Sequence, residues 1–271
     1  MKTIQYFDAH SHINDPRFDL DIGEVLSRMK EAGVWSLVVG TEKKLSSRAV
    51  LLARAHEGVF ACVGLHPTDD KEEKFDDAFY RALATDPKTL AIGECGLDYF
   101  RINEEEKEKV HQMDTFESQL ELAVSLSKPL MIHCRNAHPD MLDILASKKR
   151  EHGEKLRGNI HFFSEGPETA KKYFDLDFTV SFTGVITFAR DYDETVRYAP
   201  LDLILSETDC PYVTPAPYRG KRNEPLYVIE VVKKISEIRA EDFETVREQL
   251  VKNALRVFKV PLPAQKKFTK Q

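Results

Sequence analysis

The chain has 271 residues, 42% of them hydrophobic, and a formal net charge of −6. This is the composition of an ordinary globular protein with room for one α/β barrel; no apolar run nears the length of a membrane span, and the charge gives no sign of a chain-wide basic surface and argues against tight, non-specific duplex binding through charge. The N-terminus enters a strand with neither an apolar signal core nor an Arg/Ser-rich transit segment, so the cytoplasm is the expected location.

From Ile4 onward, short apolar runs rich in β-branched and aromatic residues alternate with longer amphipathic stretches, the pattern of repeated βα units. Strands are expected at about 4–12, 35–40, 59–65, 89–97, 129–135, 158–163, 177–184 and 201–208. Helices are expected near 21–32, 44–57, 74–84, 104–127, 138–151, 167–174 and 191–199, then 225–238 and 241–258. Eight strands alternating with helices favour a closed (β/α)8 barrel over an open doubly wound sheet. No Gly-x-Gly-x-x-Gly or Walker loop follows any strand, so no nucleotide cofactor is expected. The barrel forms a single domain over 1–260, and residues 261–271, with Pro261, Pro263 and several lysines, read as a loose tail.

The first strand carries Asp8, His10 and His12 on one face, because alternate side chains of a strand point the same way. The two imidazoles stand roughly 6–7 Å apart along the strand and can converge on one ion. Alone, such a pair is weak evidence. In a barrel, however, the site lies at the C-terminal strand ends, and these ends hold more of the same chemistry. Strand three ends in Gly64-Leu65-His66-Pro67, strand four in Gly93-Glu94-Cys95-Gly96-Leu97-Asp98, strand five in His133-Cys134-Arg135, strand six in His161-Phe162-Phe163 and strand eight in Glu207-Thr208-Asp209-Cys210-Pro211.

A lone histidine at a strand end is usually a hydrogen-bonded core residue, and a lone aspartate usually caps the next helix. So many ionisable groups in one mouth would cost several kcal/mol in desolvation, and cations are the usual remedy. The number of ligands points to two divalent ions. His10, His12 and Asp209, from strands that adjoin when the barrel closes, would hold one; His133 and His161 would hold the other, with Glu94 bridging. Such a pair suits in-line displacement at phosphorus, and a water held between the ions would lose its proton near neutral pH. Asp209 is the candidate proton acceptor. Asp8 and Glu207 read either as carboxylates that orient the imidazoles or as buried hydrogen-bonded groups. Mixed His and carboxylate ligands suit Zn²⁺, Mn²⁺ or Fe²⁺, and Mg²⁺ is plausible for phosphoryl chemistry.

The four cysteines, Cys62, Cys95, Cys134 and Cys210, form no Cys-x-x-Cys and are expected to be small buried side chains. After strand eight, Arg219, Lys221 and Arg222 put three cations within four residues, the makings of a phosphate clamp to which Arg101 and Arg135 would add. Helix N-termini at this face also favour anions. The charged run Asn103–Lys109 reads as the solvated first turn of a long helix.

Asp8-Ala-His-Ser-His12, Gly64-Leu-His-Pro67, Ile92-Gly-Glu-Cys-Gly-Leu-Asp-Tyr99, His133-Cys-Arg-Asn-Ala137 and Glu207-Thr-Asp-Cys-Pro211 followed by Arg219-Gly-Lys-Arg-Asn-Glu-Pro225 resemble the TatD family of metal-dependent deoxyribonucleases over residues 4–258. The resemblance implies an amidohydrolase-like TIM barrel binding two divalent cations (Mg, Mn or Zn). It implies 3′ exonuclease or DNA-hydrolase activity, with single-stranded DNA or 3′ ends as the partner. By motif match the family's ligands fall on His10, His12, Glu94, His133, His161 and Asp209. His66 matches a further site histidine, cast as a phosphate contact or a proton donor to the leaving group.

The strand-six motif departs from the family pattern, His-Cys-Phe-Ser/Thr-Gly, and reads His161-Phe-Phe-Ser-Glu-Gly166. The added acid, Glu165, works against a polynucleotide and bears on substrate identity more than on chemistry. Two other readings stand beside the nuclease. One is hydrolysis of a small carboxylic ester or amide, since barrels with the same His-x-His also attack carbonyls. The other is a binding scaffold whose metals are structural.

Overall fold

The computed structural model describes residues 4–68, 73–100, 102 and 105–261. Eight parallel strands, β1 (Tyr6–Ser11), β2 (Val34–Val39), β3 (Val59–Val63), β4 (Thr89–Asp98), β5 (Leu130–Arg135), β6 (Gly158–Ile160), β7 (Phe178–Phe182) and β8 (Ile204–Ser206), pair in chain order. Between and after them lie α1 (Ile22–Ala32), α2 (Lys43–Ala55), α3 (Asp77–Ala84), α4 (Glu105–Ser125), α5 (His138–His152), α6 (Pro167–Phe174), α7 (Asp193–Tyr198), α8 (Val228–Arg239) and α9 (Phe243–Val257). The (β/α)8 barrel expected from the alternating pattern is therefore present. Among the described residues no helix is long and apolar enough to cross a membrane. Most of the tail call, 261–271, and Arg101 lie outside the described residues.

Local chemistry sets the element ends. Gly33 ends α1 in the left-handed region at φ 70°, with its N–H returned to the last turn. Asp76 and Asp242 cap α3 and α9 by accepting the N–H groups of Phe79 and Thr245. The strands are buried almost throughout, as a parallel sheet covered by helices requires. One apolar cluster joins strand residues such as Val38, Val63, Ile132 and Val180 to Met29, Leu120, Leu145 and Val231 of the helices. A second joins Phe7, Leu37, Phe60 and Met131 to Phe258, just past α9.

The closure of the barrel positions the site. β8 is short, and the chain beyond it closes onto β1: Asp209 N–H donates to the His10 carbonyl at 2.9 Å and His12 N–H to the Cys210 carbonyl at 2.8 Å. Asp209, expected at a strand end, stands instead in a turn at φ 54°. His161 likewise lies just past β6, which stops at Ile160.

Candidate metal centre

His10 and His12 meet at the end of β1, with their Nε2 atoms 3.0 Å apart. The carbonyl of Val39 on β2 lies 3.0 Å from His12 Nδ1. A carbonyl only accepts, so Nδ1 carries the hydrogen and neutral His12 turns a lone pair inward from Nε2. Glu207 does the same for His161, its Oε1 lying 3.1 Å from Nδ1. The ring of His161 stacks on His10 with centroids 3.7 Å apart, and His10 Nδ1 is buried without a partner.

Glu94, inside β4, joins the two halves. Its Oε2 is 3.3 Å from His10 Nε2 and 3.6 Å from His12 Nε2. Its Oε1 is 3.0 Å from His133 Nδ1, 3.4 Å from His161 Nε2 and 3.6 Å from His66 Nε2. Asp209 Oδ1 completes the first half, 3.4 Å from His12 Nε2 and 3.9 Å from His10 Nε2. Three groups of three ligand atoms, each within a 4.8 Å span, thus meet here: His10, His12 and Asp209; His66, Glu94 and His133; and His10, His161 and Glu207. The strand register explains part of this. Gly96 pairs with His133, and a Cβ at Gly96 would strike the His133 carbonyl, so only glycine lets β4 run this close to β5.

The electrostatics follow from burial against charge. Burial opposes ionisation of Glu94, yet the charges of His161, His10 and His66 outweigh it and hold the carboxyl well below the usual range. Asp209 is lowered in the same way, with His12 and the neighbouring imidazoles prevailing over desolvation. Burial works against protonated His12 and His133, but Asp209 and Glu94 raise the first to about 9, and Asp98 and Glu94 raise the second to about 9. Burial pushes all four thiols up, Cys134 to about 12, so they are protonated core groups rather than thiolate ligands.

The donor set fits divalent cations. Lone pairs of buried imidazoles are fixed inward by carbonyl and carboxylate partners on their far nitrogens, the arrangement that orients metal-binding histidines. His10 differs: its buried Nδ1 has no such partner, and in the absence of a cation a hydrogen on its Nε2 can be donated to the His12 Nε2 lone pair at 3.0 Å.

All six expected ligands and His66 are brought together; the other calls divide. Glu207 does orient an imidazole, that of His161, and also accepts from Ser181 Oγ at 2.6 Å. Asp8 does not orient one. It accepts from the Thr208 hydroxyl at 2.7 Å and from two backbone N–H groups, and burial raises it well above the carboxylate range. Arg222, called for the clamp, is held in place: its guanidinium forks onto Asp21 at 2.9 and 2.6 Å and also bonds the Arg17 carbonyl, which occupies three of its five N–H donors. Arg135 lies over the ring of Phe100 and Arg219 over that of Phe188. Glu165 stands 3.9 Å from His138 Nε2.

Sequence reasoning missed Asp98, whose Oδ2 is 3.0 Å from His133 Nε2. Its place at the end of the strand-four motif was the available signal. Tyr212, edge-on to the His12 ring at 6.3 Å, was also missed, and nothing local marks it.

A model of the family described as TatD related DNase matches residues 7–259. A Bacillus subtilis protein described as the uncharacterized metal-dependent hydrolase YabD is 36% identical over 258 residues, covering 94% of this chain and 99% of that one. The 3'-5' ssDNA/RNA exonuclease TatD of Pectobacterium parmentieri is 32% identical over 266 residues, covering 94% of this chain and 99% of its own. Among solved structures, the TatD homolog YJJV from Escherichia coli superposes with a TM-score of 0.84 at 27% identity, over 95% of this chain and 99% of that chain. A dihydroorotase from Campylobacter jejuni, at 12% identity and a TM-score of 0.58 over 97% of this chain and 85% of its own, shares the fold.

Proposed function

This chain belongs to the TatD family of metal-dependent hydrolases, and from that premise we propose that it cleaves phosphodiester bonds at the 3′ ends of single-stranded DNA. The observation that carries the reading is Glu94, whose two oxygens face separate histidine sets, Oε2 toward His10 and His12 and Oε1 toward His133, His161 and His66. A carboxylate so placed is suited to span two ions. His10, His12 and Asp209 would hold one divalent cation, His133 and His161 the other. When bound, such ions acidify water and neutralise charge on a phosphate under attack.

The chain's own groups supply the rest. Asp209, ionised and at the edge of the cluster, is placed to accept a proton from the attacking water. His66 is half-buried beside Glu94 and is suited to contact a phosphate oxygen or to protonate the leaving group. Asp98 and Glu207 hold the far nitrogens of His133 and His161, and so fix which atoms face inward. Arg135 and Arg219 contribute positive charge near the mouth, where it favours a polyanion.

The test is hydrolysis of a 5′-labelled single-stranded DNA oligonucleotide by chelator-stripped protein resupplied with Mg²⁺, Mn²⁺ or Zn²⁺, beside Asp209→Ala. A ladder shortening from the 3′ end, dependent on metal and absent in the variant, is the expected result. An intact oligonucleotide with every ion would overturn the nuclease reading.

A further inference from the structure

Four large aromatic side chains are exposed among the described residues: Phe100 at 51%, Phe188 at 43%, Tyr198 at 50% and Tyr212 at 49%. Three of them carry an arginine on the ring, with Arg135 3.6 Å from the Phe100 centroid, Arg219 4.0 Å from Phe188 and Arg17 4.4 Å from Tyr212. The remaining cation–ring pairs among the described residues, such as Arg222 over Phe18 and Lys88 over Phe60, cap rings that are buried or half-buried. Exposed ring and stacked guanidinium therefore coincide three times.

All three pairs lie on the catalytic face of the barrel. Phe100 follows β4, two residues past Asp98, and its partner Arg135 ends β5, in register with Asp98. Phe188 follows β7, and Arg219 stands in the segment after β8. Those two segments touch, since Ala216 N–H donates to Thr187 Oγ1 at 2.9 Å. Tyr212 follows Asp209 in the same segment, edge-on to the His12 ring, and Arg17 comes from the segment after β1. In strand order the Phe100 pair, at β4 and β5, is opposite the other two pairs, at β7, β8 and β1, and the histidine cluster lies between.

An exposed hydrophobic ring is a cost to a protein in water, and a guanidinium stacked on one face leaves a flat, cation-backed platform. Nucleobases stack on such platforms whatever their sequence, while Arg135 and Arg219 meet the adjoining phosphates and Arg17, forked onto Asp15 at 2.8 and 2.7 Å, backs its ring. From this arrangement we infer that Tyr212, Phe188 and Phe100 form a base-stacking track for single-stranded nucleic acid. The track crosses the mouth with the scissile phosphate between Phe100 on one side and Tyr212 with Phe188 on the other. The inference rests on the phosphodiesterase reading above and adds that the bases, not only the backbone, are held. Arg135 and Arg219 act within it as parts of stacked platforms.

The experiment compares full-length, metal-loaded wild type with Tyr212→Ala, Phe188→Ala and Phe100→Ala. Binding of short phosphorothioate-linked thymidine oligomers and of abasic oligomers of equal length is followed by the anisotropy of a 5′ label. Each alanine variant is expected to lower the preference for thymidine over abasic oligomer about tenfold, and Tyr212→Trp and Phe188→Trp to restore it. An unchanged preference in all three alanine variants, or a wild type with no preference, overturns the track. Cleavage of ordinary oligomers by the wild type is scored separately. Its failure removes the phosphodiesterase reading while the binding preference still decides the track.

Discussion

Glu207 and His161 are 46 residues apart in sequence and are joined by a 3.1 Å hydrogen bond from Nδ1 to Oε1. The same carboxylate accepts Phe162 N–H at 2.7 Å and the Ser181 hydroxyl at 2.6 Å, so every donor around it needs an acceptor. Glu207→Gln preserves shape but turns an NH₂ toward one of those donors. An unpaired buried group of this kind costs about 1–3 kcal/mol. With His161 no longer held in one tautomer, metal affinity should fall about 10–100-fold. Competition against a chelator measures this, and equal affinities in variant and wild type would remove Glu207 from any orienting role.

Proton and metal should compete at the same nitrogens. His12 and His133 are each raised to about 9 because Asp209, Asp98 and Glu94 overcome the opposing effect of burial. In metal-free protein, the stability these groups add is complete below the ordinary imidazole value of about 6.5. It is lost as pH rises through about 9, where their protons leave. An ion has progressively fewer protons to displace over the same window. The Tm gap between metal-loaded and chelator-treated protein should therefore widen from about pH 6.5 to about 9. A gap that stays constant or narrows would contradict the assignment of His12 and His133 as ligands.

The barrel was legible because each strand is a short apolar run bounded by polar residues, and the strand ends could be read off one by one. Hence the strand-end pattern alone brings His10, His12, Glu94, His133, His161 and Asp209 to one mouth. What failed was partner choice over long separations. Asp98 meets His133 only because of the β4 and β5 register, which shifts between Ile92 and Cys95. The counter-charge of Arg222, Asp21, lies 201 residues away, so the pairing was out of reach of any local pattern. Asp8 and Glu207 looked equivalent, each two residues before a ligand, yet Thr208 satisfies the first and His161 the second. Local pattern fixes which face a side chain takes, not which group arrives there.

Gly96 shows how closely the two strands must run. At φ 146°, with the His133 carbonyl where a Cβ would go, Gly96→Ala combines a strained backbone with a clash against main chain. Strain of this kind alone costs about 1–3 kcal/mol, so a loss of at least about 2 kcal/mol is expected once β5 is displaced. Metal affinity should fall with it, since His133 sits at the clash. Gly23→Ala is the control: it lies in α1 with nothing within 4 Å of the added carbon and should be neutral or stabilising by up to about 1 kcal/mol. Urea unfolding of the pair decides the matter, and equal midpoints would refute the close-packing argument.

Arg219 and Arg222 are three residues apart and should separate cleanly by assay. Arg222 makes a two-pronged bond to Asp21, a third to the Arg17 carbonyl, and stacks over the buried ring of Phe18. That is more than an ordinary surface pair, so Arg222→Ala should cost about 1–2 kcal/mol and lower the Tm. Among the described residues Arg219 donates to the Thr214 carbonyl alone and lies over the exposed ring of Phe188, so its removal should change stability by no more than about 0.5 kcal/mol. Its loss should instead raise KM for an oligonucleotide, because a cation at the mouth is gone. The reverse pattern, with KM responding to Arg222→Ala and Tm to Arg219→Ala, would mean that the Asp21 bond opens when substrate arrives and that Arg222 is the phosphate ligand after all.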